Sequence, residues 1–307
     1  MPAPSVALPS VSTGHPPAEV DIDERLVRRL LRTQFPDIAD DPLVLIGNGW
    51  DNVMYRLGDE FVVRLPRRDA AAALILNEQR CLAILAPRLP LPVPVPVHAG
   101  QPTHDFRWHW SVCRWFDGER ASAAPPHELL DAADTLAAFV QALHTPAPAD
   151  VPVNSVRGGS HADRLERISG RIEAAGHDGR LVGVRAENLD RLWRELAATP
   201  DWTGPPLWLH GDLHGSNILT RDGRINAVID FGDITGGDPA TDLAVAWIVL
   251  DEPSRAYFRA LVPHDDDTWD RARAWALSFA VFYLDARDDD PVMGLMGDHT
   301  LAQVLAT

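Results

Sequence analysis

The chain changes character at a turn near residue 116, and this change constrains its fold more than any other feature. Before the turn, short apolar runs separated by glycines predict β-strands at Leu43–Ile46, Asn52–Leu57, Phe61–Leu65 and Trp108–Trp115. After it, apolar residues recur at helical spacing over long segments. Strands followed by helices are typical of an α+β fold, here with a small antiparallel β-sheet lobe and a mostly helical C-terminal lobe.

Helical periodicity also predicts the individual helices. The proline-rich segment 87–98 has five prolines within ten residues and predicts an extended connector, because proline disrupts a helix interior. The Pro/Ser-rich residues 1–20 predict a flexible leader, followed by an N-terminal lobe over 21–116 and a C-terminal lobe over 117–307. The predicted helices cover 22–34, 70–85, 127–144, 161–176, 184–198, 239–250, 253–262, 269–286 and 293–305.

Charge and composition narrow the class of protein. The net charge of −16, from 28 basic and 44 acidic residues, argues against a nucleic-acid partner and would attract a cationic small molecule. No apolar run approaches the roughly 18 residues that a membrane span needs, so no membrane partner is expected. The only cysteines, Cys81 and Cys113, suit a reduced cytoplasm. A monomer and a dimer both stay open.

The segment Leu209–Asp233, LHGDLHGSNILTRDGRINAVIDFGD, carries the strongest chemical signal. Asp222-Gly223 is a two-residue turn signal between two apolar runs and predicts a β-hairpin. In the register that this turn sets, Asn217 faces Val228. Asp230, two residues further on, then points to the same side of the sheet as Asn217.

The side-chain oxygens of Asn217 and Asp230 are therefore expected to converge. Oxygen ligands of this kind suit Mg²⁺, which takes one or two protein groups together with substrate phosphates. Asp212, on the glycine-containing loop before Asn217, would stand beside the metal ion. Phosphoryl transfer needs such a carboxylate to orient an attacking hydroxyl group and accept its proton.

The motifs HGDLH at 210–214 with Asn217, and IDFGD at 229–233, resemble the signature of the aminoglycoside phosphotransferase family. That family is similar in fold to the eukaryotic protein kinases and resembles choline and homoserine kinases. The resemblance covers about residues 20–305 and implies a bilobal protein-kinase-like fold with ATP or GTP as donor. It also implies that Asp212 is the catalytic base, that Asn217 and Asp230 bind Mg²⁺, and that Asp242 supports the catalytic loop.

The histidines of this segment leave a different interpretation open. His210 and His214, together with Asp230 and Asp233, could instead be the ligand cluster of a metal-dependent hydrolase. That hypothesis does not explain the N-terminal lobe, and the expectation for His210 is that it packs inside its loop.

The turn signal Gly58-Asp59 allows the same analysis of the N-terminal lobe. It predicts that Arg64 faces Val53 and Val62 faces Tyr55, so that Val53, Val62 and Arg64 share one face of the sheet. By resemblance to kinase-like folds, that face is the roof of the nucleotide pocket. Its aliphatic side chains would cover the purine and its cation would bind the phosphates.

Arg64 departs from the family, which typically carries Lys at this position. The sequence contains no Lys, and Arg keeps the charge and binds phosphate through a planar fork. The resemblance implies that Glu78 pairs with Arg64, and that the backbone of Arg114 and Phe116 binds the purine.

The function predicted is an NTP- and Mg²⁺-dependent O-phosphotransferase acting on an aminoglycoside or another antibiotic. A metabolite kinase of choline, homoserine or sugar type stays open, as does a non-catalytic, nucleotide-binding pseudokinase. Two sets of residues are candidates for acceptor binding, although acidic runs are more often solvated and tryptophans at helical spacing are more often core. They are the acidic runs at 251–252, 265–267 and 285–290, and Trp247, Trp269 and Trp275.

Overall fold

The computed structural model describes residues 17–306. The described chain divides into two compact units, one formed by the residues up to Ala86 with Pro94–Phe116, the other by Pro87–Val93 with the residues from Asp117 onward. Of the leader predicted over residues 1–20, residues 1–16 lie outside the described part. Glu19 belongs to the first unit, where its backbone N–H donates to the carbonyl of Arg67 at 2.8 Å.

The first unit contains, within the described residues, an antiparallel sheet of five strands in the order β1-β2-β3-β5-β4. Most of the proline-rich connector lies outside helices, but its last residues form β4 rather than a plain linker. The strands are β1 (Leu43–Asn48), β2 (Asn52–Leu57), β3 (Phe61–Pro66), β4 (Pro96–Gly100) and β5 (Trp110–Arg114).

Two helices flank this sheet. Helix α1 (Glu24–Gln34) begins where the Asp23 carboxylate accepts the N–H of Leu26 at 2.8 Å, and its apolar stripe enters a core shared with Tyr55 and its neighbours on one sheet face. Helix α2 (Asp69–Leu85) reaches the opposite face through polar side chains, since Gln79 donates to the Ser111 hydroxyl at 3.1 Å.

The register of β2 and β3 differs from the sequence prediction by one residue. The turn holds three residues instead of two, because Leu57 pairs with Phe61, and Met54 therefore pairs with Arg64. Gly58 adopts a left-handed φ of +56° and its N–H donates to Pro42 O. The loop therefore contains one residue more than the predicted two-residue turn.

A shift of one residue exchanges the two faces of a strand. The prediction that Val53 shares a face with Val62 and Arg64 is therefore wrong. Met54 shares that face, whereas Val53 pairs with Leu65 and is buried in the core beneath α1.

The second unit is mostly helical. Helix α9 is buried along most of its length and contacts α4, α5, α6, α7 and α10. The predicted helix over 239–250 is two single turns that meet at Ala244. The helices are α3 (Leu129–Leu143), α4 (Leu165–His177), α5 (Ala186–Ala197), α6 (Ala240–Leu243), α7 (Val245–Ile248), α8 (Glu252–Leu261), α9 (Asp266–Asp285) and α10 (Pro291–Leu305).

Strands β7 to β10 lie between α5 and α6, and β6 precedes α3. Together they form two small antiparallel sheets, β6-β8-β9 and β10-β7. Among the described helices, none is both long and apolar enough to cross a bilayer. The strands are β6 (Glu119–Arg120), β7 (Leu207–Leu209), β8 (Ile218–Arg221), β9 (Arg224–Val228) and β10 (Thr235–Gly237).

Candidate active site

The β8–β9 hairpin forms with the predicted two-residue turn. Asp222 and Gly223 both adopt left-handed φ angles, of +52° and +76°, as a tight hairpin turn of this kind requires. The register then shifts, because Thr220 pairs with Ile225 but Leu219 pairs with Ala227, which makes Asn226 the extra residue of a β-bulge.

The bulge corrects the predicted position of Asn217. Asn217 does not face Val228; its carbonyl accepts the N–H of Ile229 at 2.8 Å, one residue further along the chain. Strand parity therefore does not bring Asn217 and Asp230 to the same face, and the geometric argument for their convergence was wrong.

Asp230 lies beyond the end of β9, in an unusual backbone conformation. Its φ is +62°, and a left-handed φ costs a residue with a Cβ atom roughly 1–2 kcal/mol. Its side chain is exposed. Strained residues of this kind are often found where function requires a particular side-chain direction, so the kink, and not the strand, determines where this carboxylate points.

The loop that follows β7 is held by a buried carboxylate. Asp242 accepts the backbone N–H of His210 at 2.8 Å and that of Gly211 at 2.9 Å, and His144 Nε2 lies 3.2 Å from the same side chain. Gly211 has a φ of +85°, and a Cβ atom there would lie 2.4 Å from the carbonyl oxygen of Asp233. The loop therefore requires glycine where it meets the segment after β9.

The Asp212 carboxylate is held by three side chains. Arg157 Nη2 donates to Oδ1 at 2.9 Å, while His214 Nε2 and Asn217 Nδ2 lie 3.2 and 3.3 Å from Oδ2. Asn217 Nδ2 also donates to the backbone carbonyl of Asp212 at 2.9 Å. Asp212 and Asn217 are therefore in direct contact, and the roles predicted for them, beside a metal ion and as its ligand, stay predictions.

Both histidines of the motif use their ring nitrogens within the protein. His210 Nε2 donates to the carbonyl of Ile229 at 3.0 Å, and its Nδ1 accepts the N–H of Asp212. His214 Nδ1 accepts the N–H of Ser216, so its Nε2 carries the proton that faces Asp212. Across residues 17–306, no three His, Cys, Asp or Glu side chains are grouped so that they could hold a metal ion. These contacts favour the packing interpretation of His210 over the hydrolase hypothesis.

The neighbours of Asp212 also determine its charge. Burial alone would raise the pKa of Asp212, but His214 and Arg157 outweigh that effect and hold its pKa well below the usual value. Asp233 behaves in the opposite way: burial foremost, together with the charges of Asp212 and Asp230, raises its pKa although Arg157 opposes the rise. Asp212 is therefore ionised at neutral pH.

Asn217 and Asp230 offer oxygen atoms that fit a magnesium ion. The hydrogen bonds from the Asn217 side chain to Asp212 both use Nδ2, and within residues 17–306 its Oδ1 makes none. An amide oxygen and an exposed carboxylate are the kind of ligands that Mg²⁺ takes in addition to substrate phosphates and water. The donor set present therefore fits the ion that the resemblance implies.

Within the first unit, the predicted Arg64–Glu78 pair forms. Arg64 Nη1 donates to Glu78 Oε2 at 2.7 Å, and both side chains are buried. Cys113 lies on the same face opposite Val62, and burial raises the pKa of this thiol to about 12. Whether Val53, Val62, Arg64 and Glu78 serve a nucleotide stays a prediction.

The backbone of Arg114 and Phe116, which the resemblance assigns to purine binding, lies at the end of β5, and this role stays a prediction. The N–H of Trp115 donates to Glu60 O at 2.7 Å, towards β3. Because successive residues of a strand point their backbone groups to alternate sides, those of Arg114 face away from β3, and Phe116 would follow if the alternation continued. The Arg114 side chain is exposed and pairs with Glu60 at 3.1 Å.

The residues considered for acceptor binding have structural roles. Asp251, Asp265 and Asp290 are the N-caps of α8, α9 and α10, and each accepts backbone N–H groups. The tryptophans at 247, 269 and 275 are all buried in the core.

Sequence reasoning missed Arg157, Asn154 and Tyr283. Asn154 donates to Asp233 at 2.7 Å, and the ring of Tyr283 lies 5.5 Å from that of His214. No motif marks these residues, since they come from a loop and a helix far from 209–233 in the sequence.

The fold, together with an ionised aspartate on a fixed loop before the hairpin, defines the class of kinase-like phosphotransferases. The profile of the phosphotransferase enzyme family matches residues 42–275, more than half of the chain. The chain belongs to this family and is a small-molecule phosphotransferase with a hydroxyl group as acceptor, as predicted. None of the curated proteins matches the sequence.

Solved structures of phosphotransferases share the fold. Aminoglycoside 2'-phosphotransferase-IIIa in its GDP complex is 20% identical, with a TM-score of 0.68 over 93% of this chain and 99% of that chain. APH(2")-IIa in its ternary complex with streptomycin and ATP is 18% identical, with a TM-score of 0.59 over 94% and 97%. Macrolide 2'-phosphotransferase MphH from Brachybacterium faecium, an apoenzyme, is 19% identical, with a TM-score of 0.53 over 84% and 91%. At such identities the likeness establishes the fold alone, and the predicted kinase-like α+β fold is confirmed.

Proposed function

We propose that the chain transfers the γ-phosphoryl group of ATP or GTP to a hydroxyl group of an aminoglycoside or another antibiotic. In this proposal Asp212 is the base, and Asn217 and Asp230 hold Mg²⁺. The observation that carries it is the ionised Asp212 carboxylate beside Asn217, on a loop that Asp242 holds through two backbone N–H groups. A carboxylate held in place is the part of the chemistry that the protein itself must supply.

At the donor end, Arg64 would bind the phosphates. Its buried contact with Glu78 supports this role, because a cation fixed by a carboxylate keeps its direction when the nucleotide arrives. Val62 and Met54 lie on the same face as Arg64 and would cover the purine, with the backbone of Arg114 and Phe116 at its edge. Val53 lies on the core face, and we propose no nucleotide contact for it.

Each residue near Asp212 has a part in the step. Asp212 would orient the acceptor hydroxyl and take its proton as that oxygen attacks the γ-phosphorus. Asn217 Nδ2 would steady the Asp212 loop while its Oδ1, with the Asp230 carboxylate, holds the ion. When bound, Mg²⁺ would neutralise the charge of the β- and γ-phosphates.

The antibiotic acceptor is supported by two observations of different kinds. The net charge of −16 favours the approach of a polycation such as an aminoglycoside. Similar folds have been solved with streptomycin and with kanamycin bound. We place the reaction in the cytoplasm, where both the nucleotide and a reduced pair of cysteines would be found.

The test is a panel of acceptors supplied with ATP or GTP and Mg²⁺. Kanamycin, gentamicin, streptomycin, erythromycin, choline and homoserine would each be offered, and phosphorylated product measured by mass spectrometry. We expect product with at least one antibiotic and a loss of about 10²–10⁴-fold in Asp212→Ala, the usual contribution of a general base.

Asp40→Ala, which removes an exposed carboxylate that pairs with Arg32 in the first unit, is the matched control and should keep full turnover. Undiminished turnover in Asp212→Ala would refute the assigned mechanism. Product with choline or homoserine alone would replace the antibiotic by a metabolite as the acceptor.

A further inference from the structure

Arg157 lies between two carboxylates of the candidate active site. Its Nη2 is 2.9 Å from Asp212 Oδ1 and 3.3 Å from Asp233 Oδ2, and its guanidinium lies 5.2 Å from the centre of the Phe279 ring. We propose that Arg157 is a positioning residue that fixes the Asp212 carboxylate so that Oδ1 receives the proton of the acceptor hydroxyl. The proposal rests on the proposed function, since it assumes that Asp212 is the base.

The loop that carries Arg157 is anchored on both sides of it. Before Arg157, the N–H of Asn154 donates to the Thr235 hydroxyl at 3.1 Å, and the Asn154 side chain donates to Asp233. After it, the N–H of Asp238 donates to the carbonyl of Gly158 at 3.2 Å. Thr235 and Asp238 lie at β10, so the backbone of Arg157 is fixed to the segment that follows Asp230 and Asp233.

The guanidinium of Arg157 packs on an aromatic side chain of α9. Phe279 is buried and stacks on Tyr283 with an angle of 8° between the rings, one helical turn further along. A guanidinium over an aromatic ring is attracted to the π face of the ring and, being flat, is held in one plane. Arg157 is thus fixed by its loop, by the ring beneath it and by two carboxylates, which is unlike a mobile surface arginine.

The contacts of the two Asp212 oxygens are not equal. Oδ2 is contacted by both His214 Nε2 and Asn217 Nδ2, whereas Oδ1 is contacted by Arg157. A carboxylate oxygen accepts about two hydrogen bonds, so Oδ2 is saturated while Oδ1 keeps one lone pair. The geometry therefore leaves Oδ1 as the oxygen that can accept a further proton.

The step balances with this assignment. The acceptor oxygen forms a bond to the γ-phosphorus while the bond from phosphorus to the β,γ-bridging oxygen breaks, and its electron pair leaves with the nucleoside diphosphate. The hydroxyl proton passes to Asp212 Oδ1 and later returns to solvent.

Two effects of Arg157 oppose each other, and the nature of the reaction decides between them. A neighbouring cation makes Asp212 a weaker base, which alone would slow proton transfer. The transition state of phosphoryl transfer is loose, however, and depends on positioning more than on covalent chemistry. Without Arg157, the charges of Asp212 and Asp233 would repel and turn the carboxylate away, so we expect the loss of orientation to dominate.

The test compares Arg157→Gln, Arg157→Lys and Arg157→Ala with the wild type. Hydrolysis of Mg·ATP and Mg·GTP with water as acceptor, and transfer to kanamycin, give kcat and the KM for nucleotide. We expect Arg157→Gln to lower kcat by about 10²-fold, the size of effect that a misplaced catalytic group produces, with little change in KM. Arg157→Lys should keep part of the activity, and millimolar guanidinium chloride should restore part of it to Arg157→Ala.

Arg171→Gln is the matched control, because Arg171 also lies over an aromatic ring of α9 and pairs with an aspartate, but away from Asp212. An unchanged kcat in Arg157→Gln, or an equal loss in all three variants without rescue by guanidinium, would overturn the proposal. If Asp212→Ala is inactive while Arg157→Gln is not, only the role of Arg157 fails. If Asp212→Ala stays active, or the wild type neither hydrolyses nucleotide nor modifies any antibiotic of the panel, the proposed function fails and the proposal with it.

Discussion

At the scale of single residues, side-chain chemistry and spacing pointed to Asp212 and Asn217 but not to the residues around them. Asp212 and Asn217 could be found because a carboxylate, an amide and a hairpin signal lie within a few residues of each other. Arg157 could not, since an arginine between Val156 and Gly158 has no pattern that distinguishes it. The role proposed for Arg157 depends on the packing of its loop beside β10, which is a tertiary contact.

His161 provides a test of electrostatics at this scale. Its Nε2 donates to the carbonyl of Arg271 at 3.1 Å, and burial foremost, with the charge of Arg164, lowers its pKa from 6.5 to about 4. The unfolded chain therefore binds a proton between pH 6.5 and 4 that the folded protein does not, and the stability associated with His161 is lost as the pH falls through this window.

From pH 7 to pH 5 this residue alone should lower the free energy of unfolding by about 2 kcal/mol. Urea unfolding at both pH values measures the change, and His161→Phe, which cannot titrate, should show a decrease that is smaller by that amount. Equal pH dependence in the wild type and His161→Phe would contradict the buried neutral state.

At the scale of elements, both hairpins were predicted. The β2–β3 register was wrong by one residue throughout, whereas the β8–β9 register was right at the turn and wrong by one residue beyond Thr220. Turn signals such as Asp222-Gly223 are local, so the sequence contains them. A bulge at Asn226, or a third turn residue after Gly58, depends on partners elsewhere, namely the carbonyls of Asp117 and Pro42. A single shift exchanges strand faces, which is why Met54 and not Val53 lies beside Arg64.

The contact between β3 and α2 yields a prediction at this scale. Arg64 and Glu78 are buried, and removal of one partner from a buried ion pair costs about 3–5 kcal/mol because the remaining charge is uncompensated. Glu78→Ala should therefore destabilise the protein by that order and weaken nucleotide binding.

Glu60→Ala is the matched control, since Glu60 pairs with Arg114 on the exposed surface and should cost no more than about 1 kcal/mol. Thermal unfolding and nucleotide titration by calorimetry would compare the two variants. Similar losses in both would mean that the buried pair has no special role.

At the scale of the whole molecule, the spacing of apolar residues predicted the positions of the helices better than it predicted which residues are in contact. Apolar stripes repeat over ten or more residues, so a local irregularity hardly affects them. The segment 239–250 was divided by an unpredicted break at Ala244, and the segment 161–176 begins with a short 3-10 helix, Ala162–Arg164, before α4. The acidic runs, by contrast, were informative about helix starts and not about the acceptor, since three of their aspartates are N-caps.

The reactivity of the two cysteines provides a measure of how readily the first unit opens. Cys81 and Cys113 are buried and form no disulfide, and burial raises the pKa of Cys113 to about 12, so hardly any reactive thiolate exists in the folded state. We expect both thiols to react with an aromatic disulfide reagent at pH 8 only when the first unit opens, and rapidly in urea.

A bound nucleotide should then slow the reaction. A ligand at 100 times its Kd stabilises the folded state by about 2.7 kcal/mol, which corresponds to roughly 100-fold slower labelling where reclosing outpaces modification. Cys113 lies on the same sheet face as Val62 and Arg64. Because Arg64 is the proposed phosphate ligand, Arg64→Gln should weaken nucleotide binding, and its cysteines should be labelled at a rate that no longer depends on nucleotide. Rapid labelling of the native wild type would show that this face is open. If neither Mg·ATP nor Mg·GTP changes the labelling rate of the wild type, the first unit does not bind nucleotide as proposed, and the assignment of the phosphoryl donor site is wrong.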